Sequence, residues 1–347
     1  MSRSDHTILI TGGAGFIGSS LVRSCLRDTT LTVINLDKLT YAGHRESLSE
    51  VLEDPRHTLI VGDISDRELV AQTLRDHRPQ AIIHLAAESH VDRSIADPPS
   101  FATTNVLGTC VLLEAVTDYW QKLPTDDRAA FRFLNVSTDE VFGTAQPGEQ
   151  FTEMSLLAPN SPYAASKAAG ELLARSFGKT YGLPVVTANP SNNYGPRQHP
   201  EKLIPRMILA AARGEPLPVF GDGLYERDWL HVEDCCRALL AILDQAQPEE
   251  RYLVGANQCL QNLEVVATIC DLVDEFLDDR SSRRELIAHV IDRPGHDRRY
   301  AVDASVLRSK TSWQPQIKFD LGLRETVGWY LNHSDWVSAV LSKEISR

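Results

Sequence analysis

The sequence predicts a doubly wound α/β fold with a parallel sheet and a smaller, mostly helical C-terminal substrate domain. Three observations carry this expectation. Short apolar strands alternate with amphipathic helices through the first half, the first strand runs into a glycine-rich turn, and the rhythm breaks near Asn192. Strands separated by helices imply right-handed βαβ units, which place ligands beyond the carboxyl ends of the strands.

The strands are expected at His6–Ile10, Leu31–Leu36, Thr58–Val61, Ala81–Leu85, Phe131–Val136 and Val185–Ala188. Helices are expected between them at Phe16–Arg27, Asp66–Arg75, Ser100–Trp120 and Ser161–Tyr181. From Asn192 the Pro- and Asn-rich stretch NNYGPRQHPEKLIP reads as a loop over a pocket. A helix at Leu203–Ala212 follows, then a turn-rich segment. Asp228–Leu243 and Tyr252–Gly255 read as a return to the sheet, and helices are expected at Val265–Phe276 and Gly322–Leu331. The division expected is residues 1–191 plus 229–257 for a dinucleotide-binding domain and 192–228 plus 258–347 for a substrate domain.

Composition agrees with two domains, since 347 residues exceed the roughly 150 typical of one. A hydrophobic fraction of 42% is ample for a core. The net charge of −12 repels a phosphate backbone and argues against nucleic acid as a partner. Six scattered cysteines, without Cys/His metal spacing, read as free thiols in a reducing compartment, and no metal is expected. MSRSDHTILITGG reads as the lead into a strand, not as a secretory signal, and no apolar run reaches membrane-spanning length. A cytoplasmic location is the expectation.

Thr11-Gly12-Gly13-Ala14-Gly15-Phe16-Ile17-Gly18 closes the first strand and opens a helix. Glycines at 12, 15 and 18 allow the tight turn, the approach of backbone to a pyrophosphate and close helix–sheet packing, which is the Rossmann-type arrangement. The helix N-terminus offers free N–H groups to phosphate. Asp37 ends the second strand, where a carboxylate accepts from both ribose hydroxyls and repels a 2′-phosphate, favouring NAD over NADP. Lys38 beside it tempers that preference. Asp63 and Ile64, after the third strand, are placed to contact adenine.

Ser161 and Pro162 are suited to the N-cap and first position of a helix carrying Tyr163 and Lys167 on one face. A tyrosine with a reference pKa near ~10 needs a neighbouring cation to act as a base. Asp139 and Glu140 end the fifth strand, where substrate should lie, and adjacent carboxylates with separated pKa values can divide acid and base work.

The run Ser137-Thr138-Asp139-Glu140-Val141 with Ser161-Pro162-Tyr163 and Ser166-Lys167 resembles the dTDP-glucose 4,6-dehydratases of the extended short-chain dehydrogenase/reductase superfamily. Asn35–Gly43, Leu85–Ser94, Ser191–Pro196, Pro200–Pro205, Arg227–Trp229 and Arg293–Tyr300 resemble the family too, so the likeness spans roughly residues 7 to 332. It implies an NAD-dependent lyase acting on dTDP-glucose without net redox. Tyr163 would take the 4-hydroxyl proton as hydride leaves C4, Glu140 the C5 proton, and Asp139 would protonate the departing 6-hydroxyl before hydride returns to C6. Thr138 would bond the 4-oxygen and Lys167 the nicotinamide ribose. Cofactor contacts are implied at Gly12, Gly15, Phe16, Ile17, Gly18, Asp37, Lys38, Asp63, Ile64 and Ala86. Sugar-nucleotide contacts are implied at Ser89, Asn192, Lys202, Leu203, Pro218, Phe220, Arg227, Asn262, Arg293 and His296. The Ser100–Trp120 and Tyr163 helices resemble those that build a four-helix homodimer interface.

Phe142, Phe220, Arg197 and His199 depart from the family pattern and bear on fine substrate preference. Three other readings are open: the same reaction on UDP- or CDP-glucose, an epimerase or decarboxylase on this fold, and a non-catalytic protein that senses NAD or sugar nucleotides. The Asp139-Glu140 pair argues against the second, and the presence of both Tyr163 and Lys167 against the third.

Overall fold

Runs such as Ile8-Leu9-Ile10 and Ile82-Ile83 have no polar alternation, so they require cover on both faces. In the computed structural model, which describes residues 6–278 and 281–345, they form the middle of a parallel sheet. Six strands come in sequence: β1 (Thr7–Thr11), β2 (Thr32–Asp37), β3 (His57–Val61), β4 (Ala81–His84), β5 (Arg132–Val136) and β6 (Val185–Pro190). Three short strands follow, β7 (Asn192–Tyr194), β8 (Leu217–Phe220) and β9 (Glu226–His231), before β10 (Arg251–Val254) closes the sheet. The spatial order β10-β6-β5-β4-β1-β2-β3 reverses direction between β1 and β4, and that switch point opens a crevice.

Alternate residues of each strand feed two cores. Ile8 and Ile10 face α1 (Phe16–Asp28), α9 (Val232–Gln245) and α11 (Ser305–Thr311). Leu9 and Ile34 face α2 (Arg67–His77), α5 (Thr109–Trp120) and α7 (Pro162–Tyr181). Between β4 and β5 lie α3 (Val91–Ala96), α4 (Pro98–Ala102), a π-turn at Thr103–Gly108, α5 and α6 (Thr125–Ala130). Pro98–Trp120 is thus one run, the single helix among the described residues long and apolar enough to cross a membrane, and it is half buried inside the protein.

A separate core joins α8 (Leu203–Arg213), α10 (Asn262–Leu277), α12 (Phe319–Asn332) and α13 (Ser334–Ile345) around Tyr194, Trp229, Val266, Leu323 and Tyr330. Two small sheets flank it. One has the order β11 (Cys259–Gln261), β9, β13 (Arg299–Tyr300), with β7 also on β9, and the other pairs β8 with β12 (Ile287–Val290). The expected return at Asp228–Leu243 is therefore split. β9 belongs to the small sheet, and only α9, which follows it, packs back on α1 through Cys235, Leu239 and Ile242. Ala304, Leu307 and Trp313 also pack into the main-sheet core.

Candidate active site

The crevice at the carboxyl ends of β1, β2, β4, β5 and β6 is a cavity that brings together the expected cofactor and catalytic residues. At one end, Gly12 has φ +73° and an added Cβ would lie 2.6 Å from the Ala86 nitrogen. A Cβ on Gly18 would meet the Gly12 carbonyl at 2.1 Å, so α1 approaches the turn as closely as it does only without side chains. The N-cap Gly15 supplies no side-chain cap and no acidic residue stands in the first turn, which leaves the N–H groups of Phe16 and Ile17 toward the cavity. Asp37 receives hydrogen bonds from the Ala14 N–H (2.8 Å) and the Leu39 N–H (2.7 Å), which fix its carboxylate at the end of β2. Lys38 is paired with Asp63 at 2.7 Å, so the cation beside Asp37 is already engaged. Ile64 and Ala86 line the same wall. Ser137 Oγ, Ser191 Oγ and Asn192 Oδ1 are buried on the cavity wall without a hydrogen-bond partner among the described residues. A dinucleotide with pyrophosphate on α1 and ribose on Asp37 fits this donor and acceptor set.

At the other end, Thr138 caps a one-turn helix at Asp139–Phe142: its hydroxyl accepts from the Glu140 N–H at 3.3 Å and donates to Asp139 Oδ1 at 3.3 Å. The same hydroxyl stands near the Tyr163 phenol. Ser161 caps α7 by accepting from the Ala164 N–H, with Pro162 in the first turn, as the sequence led one to expect. Tyr163 is buried, and burial with the charges of Glu140 and Asp139 pushes its phenol up, opposed by the nearby Thr138 hydroxyl. Lys167 donates to the Val136 carbonyl at 2.8 Å, and burial lowers its pKa to about 8. Burial, with Glu140 and Asp228 nearby, raises Asp139 well above the carboxylate range. Glu140 is raised mainly by burial, but Arg293, Lys202 and Arg227 pull it back.

Ser89, Asn192 and Lys202 reach this cavity, and Lys202 donates to the Ser89 carbonyl at 2.8 Å. Leu203, Pro218, Phe220, Arg227, Asn262, Arg293 and His296 lie outside its lining. Most of them belong to a neighbouring group. The His296 ring stacks on Tyr225 at 3.9 Å, meets Phe220 at 6.0 Å and is held by Asp292 at 2.7 Å. Arg227 is pinned by the Asp297 carbonyl (2.8 Å) and lies over Tyr300. Asn262 Oδ1 is buried and unpartnered among the described residues. Pro218 sits on β8 opposite Ala288, and Leu203 opens α8. Arg227, Arg293 and Lys202 together act on Glu140, so this basic group borders the catalytic turn.

A family model described as GDP-mannose 4,6 dehydratase matches residues 9–326. A dTDP-glucose 4,6-dehydratase of Xanthomonas campestris pv. campestris is 52% identical over 337 residues, covering 96% of each chain. Another from Escherichia coli K12 is 48% identical, covering 96% of this chain and 95% of its own. The chain belongs to the dTDP-glucose 4,6-dehydratase family. Among solved structures, the dTDP-glucose 4,6-dehydratase DesIV of Streptomyces venezuelae, with bound NAD, superposes with a TM-score of 0.88 at 42% identity over 96% of this chain and 99% of that one. A UDP-glucose 4-epimerase of Thermus thermophilus, also with NAD, reaches a TM-score of 0.83 at 29% identity over 94% and 99%.

Within this 4,6-dehydratase the fold adds residues that the motifs did not single out. Glu201 lines the cavity, accepts from the Tyr41 hydroxyl at 3.3 Å and lies 3.4 Å from the His90 ring, which ties the loop after β2 to the loop after β7. Asn105, in the π-turn, donates to Ser166 Oγ and the Glu88 carbonyl. Glu171 and Asn189 lie behind Thr138. Only Glu171 had a local signal: with Tyr163 and Lys167 it continues one polar line along α7 at four-residue spacing.

Proposed function

We infer that the protein removes water from dTDP-glucose to give the 4-keto-6-deoxy sugar nucleotide, with NAD as its cofactor. The observation that carries the reading is the Asp139-Glu140 pair, whose two members sit in different electrostatic surroundings at the end of β5. Bound oxidised NAD would accept the C4 hydride, return it to C6, and place positive charge beside the Tyr163 phenol.

The chain's own groups then have defined tasks. Thr138 holds the 4-oxygen and hands the geometry to Tyr163, which takes the 4-hydroxyl proton. Lys167, anchored at the Val136 carbonyl, positions the nicotinamide ribose. Glu140, ionised more easily because three cations face it, removes the C5 proton made acidic by the 4-ketone and gives a proton back to C5 once hydride has reached C6. Asp139, held protonated by burial beside Glu140 and Asp228, gives its proton to the 6-hydroxyl, which departs as water. Gly12, Gly15, Phe16, Ile17, Gly18, Asp37, Lys38, Asp63, Ile64 and Ala86 hold the cofactor. Arg227, Arg293 and Lys202 grip the diphosphate, where bidentate guanidinium bonds suit phosphate oxygens. Phe220, His296, Asn262, Pro218 and Leu203 receive the base and ribose, and Ser89 and Asn192 the sugar.

Residues 1–191 plus 229–257 are proposed as the NAD-binding unit and 192–228 plus 258–347 as the sugar-nucleotide unit. A homodimer is proposed through the Pro98–Trp120 run and α7, which expose Leu107 and Leu172. The six free cysteines suit a cytoplasmic setting. The test is incubation with dTDP-, UDP- and CDP-glucose separately, following loss of one water by mass and the ultraviolet absorbance of the keto sugar in alkali. Fastest dehydration of dTDP-glucose supports the reading. No water loss from any of them, with NAD binding intact, overturns it.

A further inference from the structure

Beneath the catalytic turn lies a buried carboxylate that the reaction as described does not use. Glu171 is one helical turn beyond Lys167 on α7 and is 2% exposed. Its Oε2 accepts from Asn189 Nδ2 at 2.9 Å, and its Oε1 from Arg251 at the start of β10. The same Asn189 amide donates to the Thr138 carbonyl at 3.0 Å. Asn189 is itself fully buried in β6, the strand beside β5. A chain of two hydrogen bonds therefore runs from α7 through β6 to the residue whose hydroxyl holds Asp139 and caps the turn carrying Glu140.

The same carboxylate sets the charge around Lys167. Groups on the elements packed against α7 include Asp92 and Arg93 on α3, Glu114 on α5, and Asp139 and Glu140 in the turn after β5. Burial lowers Lys167, and Glu171 is the carboxylate that raises it. His84 on β4 also faces Lys167 but stays neutral, hydrogen-bonded to Thr11 and Thr109. Tyr163, on the same helix, is itself pushed up by burial and by Glu140 and Asp139. A buried ammonium with no carboxylate nearby gives up its proton near neutrality.

We propose that Glu171 is a positioning residue for the dehydration, fixing Thr138 through Asn189 and standing as the buried carboxylate one helical turn from the Lys167 ammonium. The proposal rests on the roles given above to Thr138, Tyr163 and Lys167. It predicts that Glu171→Gln lowers kcat for dTDP-glucose at least tenfold above pH 8 while KM changes less than twofold, and moves the alkaline limb of the pH profile acidward by about one unit. Glu171→Asp, which keeps the charge, should retain the limb.

Glu171→Gln also strips Arg251 of its partner, so the variant is paired with Glu171→Gln/Arg251→Gln, which removes both charges. If the double variant recovers thermal stability but not the pH limb, Glu171 acts on Lys167 and Thr138 as proposed. If it recovers both, Glu171 serves only to balance Arg251 and the proposal falls. A second readout needs no turnover: the Lys167 side-chain resonance in ¹³C-lysine-labelled protein, assigned by Lys167→Arg, should titrate about one unit lower in Glu171→Gln. An unchanged midpoint overturns the proposal. If wild-type protein fails to dehydrate any sugar nucleotide yet the midpoint moves, the coupling stands and the functional reading is what fails.

Discussion

Asp139 and Glu140 are sequence neighbours that the fold sends into different surroundings. Asp139 is 1% exposed, with Oδ1 taken by the Thr138 hydroxyl and Oδ2 left without a partner among the described residues. Glu140 is less buried, opens on the same cavity and faces Arg293, Lys202 and Arg227. These surroundings suit the acid role proposed for Asp139 and the base role proposed for Glu140.

Their separate tasks predict separable defects. Asp139→Asn should lower kcat by about 10²- to 10⁴-fold while C5 proton exchange with solvent deuterium persists. Glu140→Gln should lose that exchange along with turnover. Mass spectrometry of recovered sugar nucleotide in deuterium oxide checks both, and equal exchange in the two variants would refute the division.

Tyr163→Phe removes the phenol proton acceptor without opening a large void. Expected are a fall in kcat of about 10²- to 10⁴-fold and a KM for dTDP-glucose within a few-fold of wild type, measured by the alkali absorbance of product. A large rise in KM with kcat preserved would make Tyr163 a binding residue.

The phosphate turn tolerates no side chain at Gly18, where a Cβ would stand 2.1 Å from the Gly12 carbonyl. Gly18→Ala should weaken NAD binding at least tenfold by calorimetry, because α1 must retreat from the pyrophosphate position. Asp37→Asn should reduce the preference for NAD over NADP, since the repulsion of a 2′-phosphate is lost. Unchanged affinities in both would place the cofactor elsewhere.

His84 ties stability to pH. Its ring meets Thr11 Oγ1 at 2.7 Å and Thr109 Oγ1 at 3.0 Å, and burial, with Lys167 adding to it, holds its pKa down to about 3. An unfolded imidazole titrates near ~6.5, so between there and pH 3 the unfolded chain binds a proton that the folded chain refuses. The stabilising effect is complete above pH 6.5 and is lost as pH falls, by about 1.4 kcal/mol per pH unit. Denaturant unfolding of wild type and His84→Gln from pH 7.5 to 4.5 tests this: the variant should lose stability less steeply, and parallel slopes would refute it.

The cations proposed to grip the diphosphate should show themselves in KM. Arg293, held at 3.4 Å from Asp92, is three-quarters buried, and Arg293→Met is expected to raise KM for dTDP-glucose about ten- to a hundredfold. A KM within twofold of wild type would remove it from the substrate site.

Much of this was legible along the chain because it is local. β1, the glycine turn and α1 are contiguous, as are Ser161, Pro162, Tyr163 and Lys167, so period, capping chemistry and spacing name them before any fold is known. The strands of the main sheet were equally plain, since burial on both faces leaves continuous apolar runs. β9 was not: Glu226–His231 carries Arg227 and Asp228 into a small sheet, and nothing local distinguishes that from a return to the main one. The nucleotide end was legible only as a resemblance, because Arg227 and Arg293 are far apart in sequence and come together only when β9 and the loop before β13 assemble.

The sequence alone therefore determined the doubly wound fold and named the glycine turn and the side chains proposed for catalysis, because each is encoded within one or two consecutive elements. Tertiary structure decided how those side chains are tuned. Burial and field depend on groups brought from distant strands: Asp228 against Asp139, three cations against Glu140, and Glu171 beneath Lys167 and, through Asn189, behind Thr138. A pKa responds to everything within a few ångströms in space, and only the folded chain defines that neighbourhood.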